Sequence, residues 1–281
     1  MYNAELHINK TLKSVLSSSY NSFELVIIDD GSTDNSMNII NRYDDNRIKI
    51  YDKINSGLIE TLNYGINKCS NEIIMRMDAD DIISNVKIER QLYKFQKDKP
   101  ILLGTEGYII DDNDKIKGEI KLPLNHEDII TSMMKFESSL IHPSIMTYKS
   151  VLKKIDFYSS KIKHAEDYDL FLRLSKLGEI SNLNEKLIYI RKNENNISHK
   201  HAREQIENTF ISKKYFQSDD YKPISNSFYN KIKAEVLKSS TNNFYFKLHT
   251  QIVKEMYLNK SKNHLYLFIL KILRRLIKFV I

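Results

Sequence analysis

Three carboxylates close a short apolar run in Ile73-Ile74-Met75-Arg76-Met77-Asp78-Ala79-Asp80-Asp81. Carboxylates so close repel one another unless a cation sits among them. All-oxygen sets of this kind suit magnesium or manganese, usually held by one or two carboxylates together with phosphate oxygens. The run before them has the length and β-branched content of a buried strand, so the acids fall at its carboxyl end. That end is where open α/β sheets bind ligands. Taken alone, the stretch fits a solvated acidic turn capping the next helix equally well. A second group, Glu166-Asp167-Tyr168-Asp169, precedes Leu170, Leu172, Leu174 and Leu177 and opens a helix. A carboxylate at a helix N-terminus stays ionised near neutral pH, as a general base must. The same acids read alone simply cap that helix.

Elements able to position these groups are legible upstream. Ala4 to about Ser18 carries Leu6, Ile8, Leu12, Val15 and Leu16 at the spacing of one apolar helix face. Phe23-Glu24-Leu25-Val26-Ile27-Ile28 is a near-continuous apolar strand, ending in the turn Asp29-Asp30-Gly31-Ser32-Thr33-Asp34. A helix over Met37–Tyr43, a strand at Ile48–Tyr51, and a helix after Asn55-Ser56-Gly57 with Leu58, Leu62, Ile66 and Cys69 inward come next. A helix over Lys87–Lys97 and a strand at Ile101–Gly104 follow the acids. Strands and helices thus alternate to about residue 104, which predicts a doubly wound, mostly parallel sheet.

These stretches, in order, resemble glycosyltransferase family 2. The resemblance rests on Asp29-Asp30-Gly31-Ser32-Thr33-Asp34, Asn55-Ser56-Gly57-Leu58, Arg76 to Asp81 and Glu89-Arg90-Gln91-Leu92. It continues through Leu140-Ile141-His142-Pro143-Ser144-Ile145-Met146, Glu166 to Leu174 and Asn196-Ile197-Ser198, covering about residues 2–200. It implies a GT-A fold: a nucleotide-sugar half at about 1–110, an acceptor half at about 111–200, and a helical basic extension over 201–281. It implies inverting transfer of a sugar from a nucleotide sugar, a UDP-sugar by preference, to a saccharide in bacterial surface polysaccharide or lipooligosaccharide synthesis. Asp80, with Asp78, would hold a manganese or magnesium ion on the donor diphosphate. Asp81 would orient the loop. Tyr2, Asn3, Asp30, Asn55, Arg76, Asp78, Arg191 and Ser198 would bind the donor, Asp30 accepting the uracil N–H. Asp167 would be the base, with His142 and Glu166 on the acceptor side. His199 and His201 read as loop residues. A phospho-accepting receiver domain shares the paired aspartates but would be less than half this length.

The chain departs from the family by starting at Tyr2-Asn3, where an apolar first strand normally ends. The expectation is a reading frame that begins further upstream; otherwise the protein is a non-catalytic, nucleotide-binding partner. In addition, Lys87 stands where many members carry arginine.

Composition sets the remaining bounds. The single cysteine, Cys69, excludes an internal disulfide and fits a reducing compartment. Met1-Tyr2-Asn3-Ala4-Glu5 lacks the basic region and apolar core of a signal peptide, so none is expected here. Residues 1–200 hold 28 Lys/Arg against 30 Asp/Glu, while 201–281 hold 15 against 6. The core is therefore not a nucleic-acid binder, and the basic excess lies in the tail. Over Leu265–Ile281, Lys271, Arg274, Arg275 and Lys278 form one stripe among large apolar residues, with no acid after Glu255. The charge-free run is too short to span a bilayer. The pattern predicts an interfacial helix on the inner face of the cytoplasmic membrane, toward a lipid-linked acceptor. Deleting Leu265–Ile281 is expected to move the protein from the membrane to the soluble fraction; an unchanged distribution would contradict the reading.

Overall fold

The structure, a computed structural model, describes residues 1–192, 201–217 and 223–242. The chain divides into two compact units, Met1–Tyr158 with Arg173–Asn193, and Ser159–Leu172 with Glu194–Ile281.

In the first unit, α1 (Ile8–Leu16) buries Ile8, Leu12 and Val15, one stripe at helical spacing. β1 (Leu25–Asp29) and β2 (Ile48–Asp52) pair in parallel, Ile27 opposite Ile50 and Asp29 opposite Asp52. Along the other edge of β1, Met1 N donates to Ile28 O at 2.6 Å, and Asp30 N donates to Met1 O at 2.8 Å. That is how a residue of a parallel neighbour brackets Asp29. Between β1 and β2, α2 (Ser36–Ile40) buries Ile40 against Ile8, Leu12 and Ile27. α3 (Leu58–Lys68) turns Ile59, Thr61 and Ile66 inward. Leu58, expected inside, is exposed because the helix starts on it, directly after Gly57.

The larger sheet is mixed. Its strands are β3 (Ile73–Met75), β4 (Ile82–Ile83), β5 (Leu102–Ile110), β6 (Ile116–Ile120), β7 (Met146–Tyr148) and β8 (Ile180–Arg191). They run in the order β3-β7-β5-β8-β4, with β6 on β5. β5–β8 is the parallel pair of this sheet, and its other pairs are antiparallel. A mostly parallel sheet was expected. The difference arises after β5, where the tight turn at Asp111–Asp114 returns the chain directly as β6. There the Asp111 carboxylate takes the Asn113 and Lys115 N–H groups at 3.0 and 2.9 Å, and a tight turn can only join antiparallel strands. β1 and β3 belong to separate sheets.

α4 (Lys87–Asp98) seals one face by packing Phe95 on Leu103 and Met146. Lys87 is fully buried, donating to Gln91 Oε1 at 2.9 Å and Ser144 O at 3.4 Å. Burial pulls its ammonium down to about 7. α5 (His126–Met134), capped by the Asn125 side chain on Asp128 N at 2.9 Å, and α6 (Lys149–Lys154) complete this unit.

The second unit holds the start of α7 (Glu166–Ser175), α8 (Ala202–Phe216) and α9 (Asn226–Asn242). Its core gathers Ile162, Ala165, Ile211, Tyr215, Ile224 and Ile232. The Leu265–Ile281 stretch lies outside the described residues. Among the described residues no helix is long and apolar enough to cross a membrane.

Gly107 sits where β5 and β8 run together. A Cβ there would lie 2.8 Å from the Ile188 carbonyl oxygen and 3.2 Å from Ile141 Cδ1. Gly107→Ala is expected to lower stability by about 1–3 kcal/mol, read as a lower urea midpoint. An unchanged midpoint would contradict this packing.

Candidate active site

The acid loop follows β3. Asp78, Asp80 and Asp81 each place a carboxylate oxygen within 4.8 Å of the others. Several groups brace the loop. Arg76 grips Asp78 with both terminal nitrogens, at 2.7 and 2.5 Å. Thr11 Oγ1, reaching from α1, lies 2.9 Å from Ala79 O and 2.8 Å from Asp81 O. Arg191, at the end of β8, donates its backbone N–H to Asp81 Oδ1 and its Nε to Asp80 O, both at 2.9 Å. Its remaining nitrogens reach Asp111 O at 2.5 Å and Asp114 Oδ1 at 2.6 Å.

Burial and the neighbouring Asp78 charge raise the Asp80 carboxyl above its ordinary value. Asp81 is raised much further, by burial and then by Asp78 and Asp80. Asp81 Oδ2 is buried with no hydrogen-bond partner. A clustered set of oxygen donors, short of positive charge and with one oxygen unsatisfied, fits a hard divalent cation. Asp81, expected only to orient the loop, is therefore a candidate ligand beside Asp80. Asp78 is the acid already paired with an arginine.

The second part of the site is the end of β1. Asp30 is buried and accepts from Lys53 Nζ and from the N–H groups of Ser56 and Gly57, both at 3.0 Å. Burial opposes its charge, but Lys53, Ser56, Thr61 and Gly57 outweigh that and hold it below the usual carboxylate range. Gly31 adopts φ +76°, and a Cβ on it would meet Asn55 N at 3.0 Å. Glycine thus lets the loop carrying exposed Asn55 close onto β1. Asn3 N donates to Ser32 Oγ at 2.9 Å, and Asn3 Oδ1 accepts from Thr33 N at 2.8 Å. Tyr2 beside it is half exposed. Met1 and Ala79 pack on the same cluster of Ile8, Leu12, Ile27 and Ile40. The base of the acid loop and the segment carrying Tyr2 and Asn3 therefore share one support.

His142 Nε2 lies 2.7 Å from the Tyr158 hydroxyl. Burial, followed by the Arg76 charge, pushes its imidazole well below the ordinary value, so it is neutral. In the second unit, α7 begins at Glu166, with Glu166, Asp167 and Asp169 in its first turn. Asp167 Oδ1 accepts its neighbour Tyr168 N–H at 2.7 Å. Glu166 and Asp169 are buried. Ser198 and His199 lie outside the described residues.

Arg191, expected among the donor-binding residues, takes a different place. It is buried, with its head spread over Asp80 O, Asp111 O and Asp114. That makes it a brace of the acid loop. Sequence reasoning missed Thr11, Lys53 and Asp114. Single polar residues in helices and turns carry no spacing signal.

The sequence matches the family model described as Glycosyl transferase family 2 over residues 1–156. It is 34% identical over 181 residues to the O-antigen biosynthesis glycosyltransferase WbnJ of Escherichia coli, covering 63% of this chain and 69% of that relative. It is 30% identical to the chondroitin synthase of Pasteurella multocida, covering 75% of this chain and 22% of that longer protein. The fold is similar to S. aureus TarS 1–349 in complex with UDP-GlcNAc, with a TM-score of 0.61, 22% identity, and coverage of 92% of this chain and 77% of that one. It is also similar to the mannosyltransferase PcManGT from Pyrobaculum calidifontis in complex with GDP-Man and Mn2+, with a TM-score of 0.58, 12% identity, and coverage of 99% and 83%.

The raised Asp81 carboxyl has a consequence for stability. A group whose folded pKa exceeds its unfolded one contributes stability at low pH and loses it as pH climbs through the raised value. In a chelator, the wild type is expected to lose stability relative to Asp81→Asn as pH rises from about 5 to about 8. Urea unfolding at several pH values measures this, and a difference independent of pH would contradict it.

Proposed function

The chain belongs to glycosyltransferase family 2, and we propose that it transfers a sugar, with inversion, from a UDP-sugar to a saccharide hydroxyl in surface polysaccharide or lipooligosaccharide synthesis. The observation that carries this reading is the carboxylate trio at the end of β3, braced by Arg76 and Arg191 yet retaining an unsatisfied Asp81 oxygen. Likeness to proteins whose structures hold UDP-GlcNAc, or GDP-Man with Mn2+, supports a nucleotide-sugar donor and a cation.

Asp80 and Asp81, with Asp78, would hold manganese or magnesium, which neutralises the charge developing on a departing diphosphate. Asp30 reads the uracil edge. Lys53 keeps that carboxylate ionised and still. Tyr2, Asn3 and Asn55 stand at the same end of β1 and line the nucleoside, and Ser198 assists at the diphosphate. Asp167 takes the proton of the acceptor hydroxyl as that oxygen attacks the anomeric carbon from the face opposite the leaving diphosphate. Neutral His142, together with Glu166, lines the acceptor. The basic, apolar stretch Leu265–Ile281 brings the enzyme to a lipid-linked acceptor at the cytoplasmic membrane.

Two substitutions separate the roles. Asp80→Ala is expected to abolish the manganese dependence of UDP-sugar binding. Asp167→Asn is expected to keep that binding and lower kcat by about 10²–10⁴. Near-wild-type turnover in Asp167→Asn would overturn its role as base, and metal-dependent binding retained in Asp80→Ala would overturn the cation site.

A further inference from the structure

We propose that His164, His201 and Glu204 form a second metal site, for a borderline ion of the zinc class, separate in residues and chemistry from the aspartate loop. The three side chains each offer a ligand atom within 4.8 Å of the others. The two imidazoles lie face to face with centroids 3.9 Å apart and planes 7° from parallel. Glu204 closes the group, with His164 Nε2 3.6 Å from its Oε2.

The supports of these residues are fixed. His164 sits in the turn between Ile162 and Ala165, both buried in the core of the second unit. Its φ of +63° is left-handed, a region in which histidine is enriched among non-glycine residues. His201 is the N-cap residue of α8 and makes no side-chain capping bond. Glu204 lies in the first turn of that helix. One turn further along, buried Asn208 donates to Lys163 O at 2.8 Å and accepts from the Tyr229 hydroxyl at 3.1 Å. That bond ties α8 to the residue next to His164, so the group is not a chance meeting of two loose ends.

Chemistry separates this set from the aspartates. Two imidazoles and one carboxylate suit zinc, with water in the remaining position, whereas a set made only of carboxylates suits magnesium or manganese. The stacked rings converge on an ion once exposed His201 turns its edge toward the shared centre. A bound ion then clamps the turn two residues ahead of Glu166 to the start of α8, which makes His164 and His201 positioning residues for the first turn of α7.

The test uses full-length protein without a polyhistidine tag, stripped with chelator and titrated with Zn2+ by calorimetry and with Co2+ by visible absorption. The wild type is expected to bind one Zn2+ at this site, to show Co2+ ligand-field bands, and to gain thermal stability from the zinc. His164→Asn and His201→Asn are each expected to weaken zinc binding by about tenfold or more and to lose the stabilisation. Asparagine tolerates left-handed backbone, and His201 is exposed, so both variants keep the fold, which far-UV circular dichroism checks. The Asp80→Ala/Asp81→Asn double variant is expected to keep the zinc site. Unchanged zinc affinity in both histidine variants, or loss of the site in the aspartate double variant, would overturn the proposal.

Discussion

Three like charges gathered at the end of one short strand set the terms for the first unit. Two carboxylates with oxygens within 4.8 Å of each other repel by roughly 3 kcal/mol or more at an effective dielectric of about 20, and by less where Asp78 meets solvent. Three such pairs, unrelieved, rival the whole stability of a domain, about 5–15 kcal/mol. The fold answers with two arginines of different function. Arg76 neutralises Asp78 directly through a bidentate pair. Arg191 spends its Nε and backbone N–H on the loop and its remaining nitrogens on Asp111 and Asp114. Repulsion left on Asp80 and Asp81 favours proton uptake, which shows as raised carboxyls. A divalent cation would complete that balance.

The same constraint explains why distant stretches of chain meet here. Asp114, in the turn between β5 and β6, accepts from both Arg191 and Lys10 of α1. α1 also supplies Thr11 to the acid-loop carbonyls. The long β5–β8 pair delivers Arg191 at its far end, with Ile110 opposite Arg191. The hairpin that makes the sheet mixed is thus also the element that anchors the arginine. At the end of β1, Asp30 repeats the arrangement with opposite outcome. A lysine and two backbone N–H groups surround one carboxylate and keep it charged while buried.

Much of this was readable from the chain. Apolar periodicity gave α1, β1, α3 and α4 to within a few residues, because each buries one continuous face. The aspartates of the loop were readable as a cluster because they are adjacent in sequence. The unread part depends on contacts between distant residues. Nothing local marks Thr11, Lys53 or Asp114 as supports. Asp81 was assigned to loop orientation, and its buried, unpartnered Oδ2 exists only in three dimensions. Arg191 belongs with the donor-binding residues by resemblance, whereas its burial follows from its place at the end of β8. His201 was read as a loop residue. It ends up stacked on His164, 37 positions away in sequence, where no spacing rule reaches.

The Asp78–Asp80–Asp81 loop is proposed as a cation site whose own repulsion holds protons that an ion must displace. Calorimetric titration of metal-free protein with Mn2+, near pH 7 in two buffers of different ionisation enthalpy, measures those protons directly. Net proton release is expected on binding, reduced in Asp81→Asn. Manganese binding with no proton release, or with the same release in wild type and variant, would contradict it.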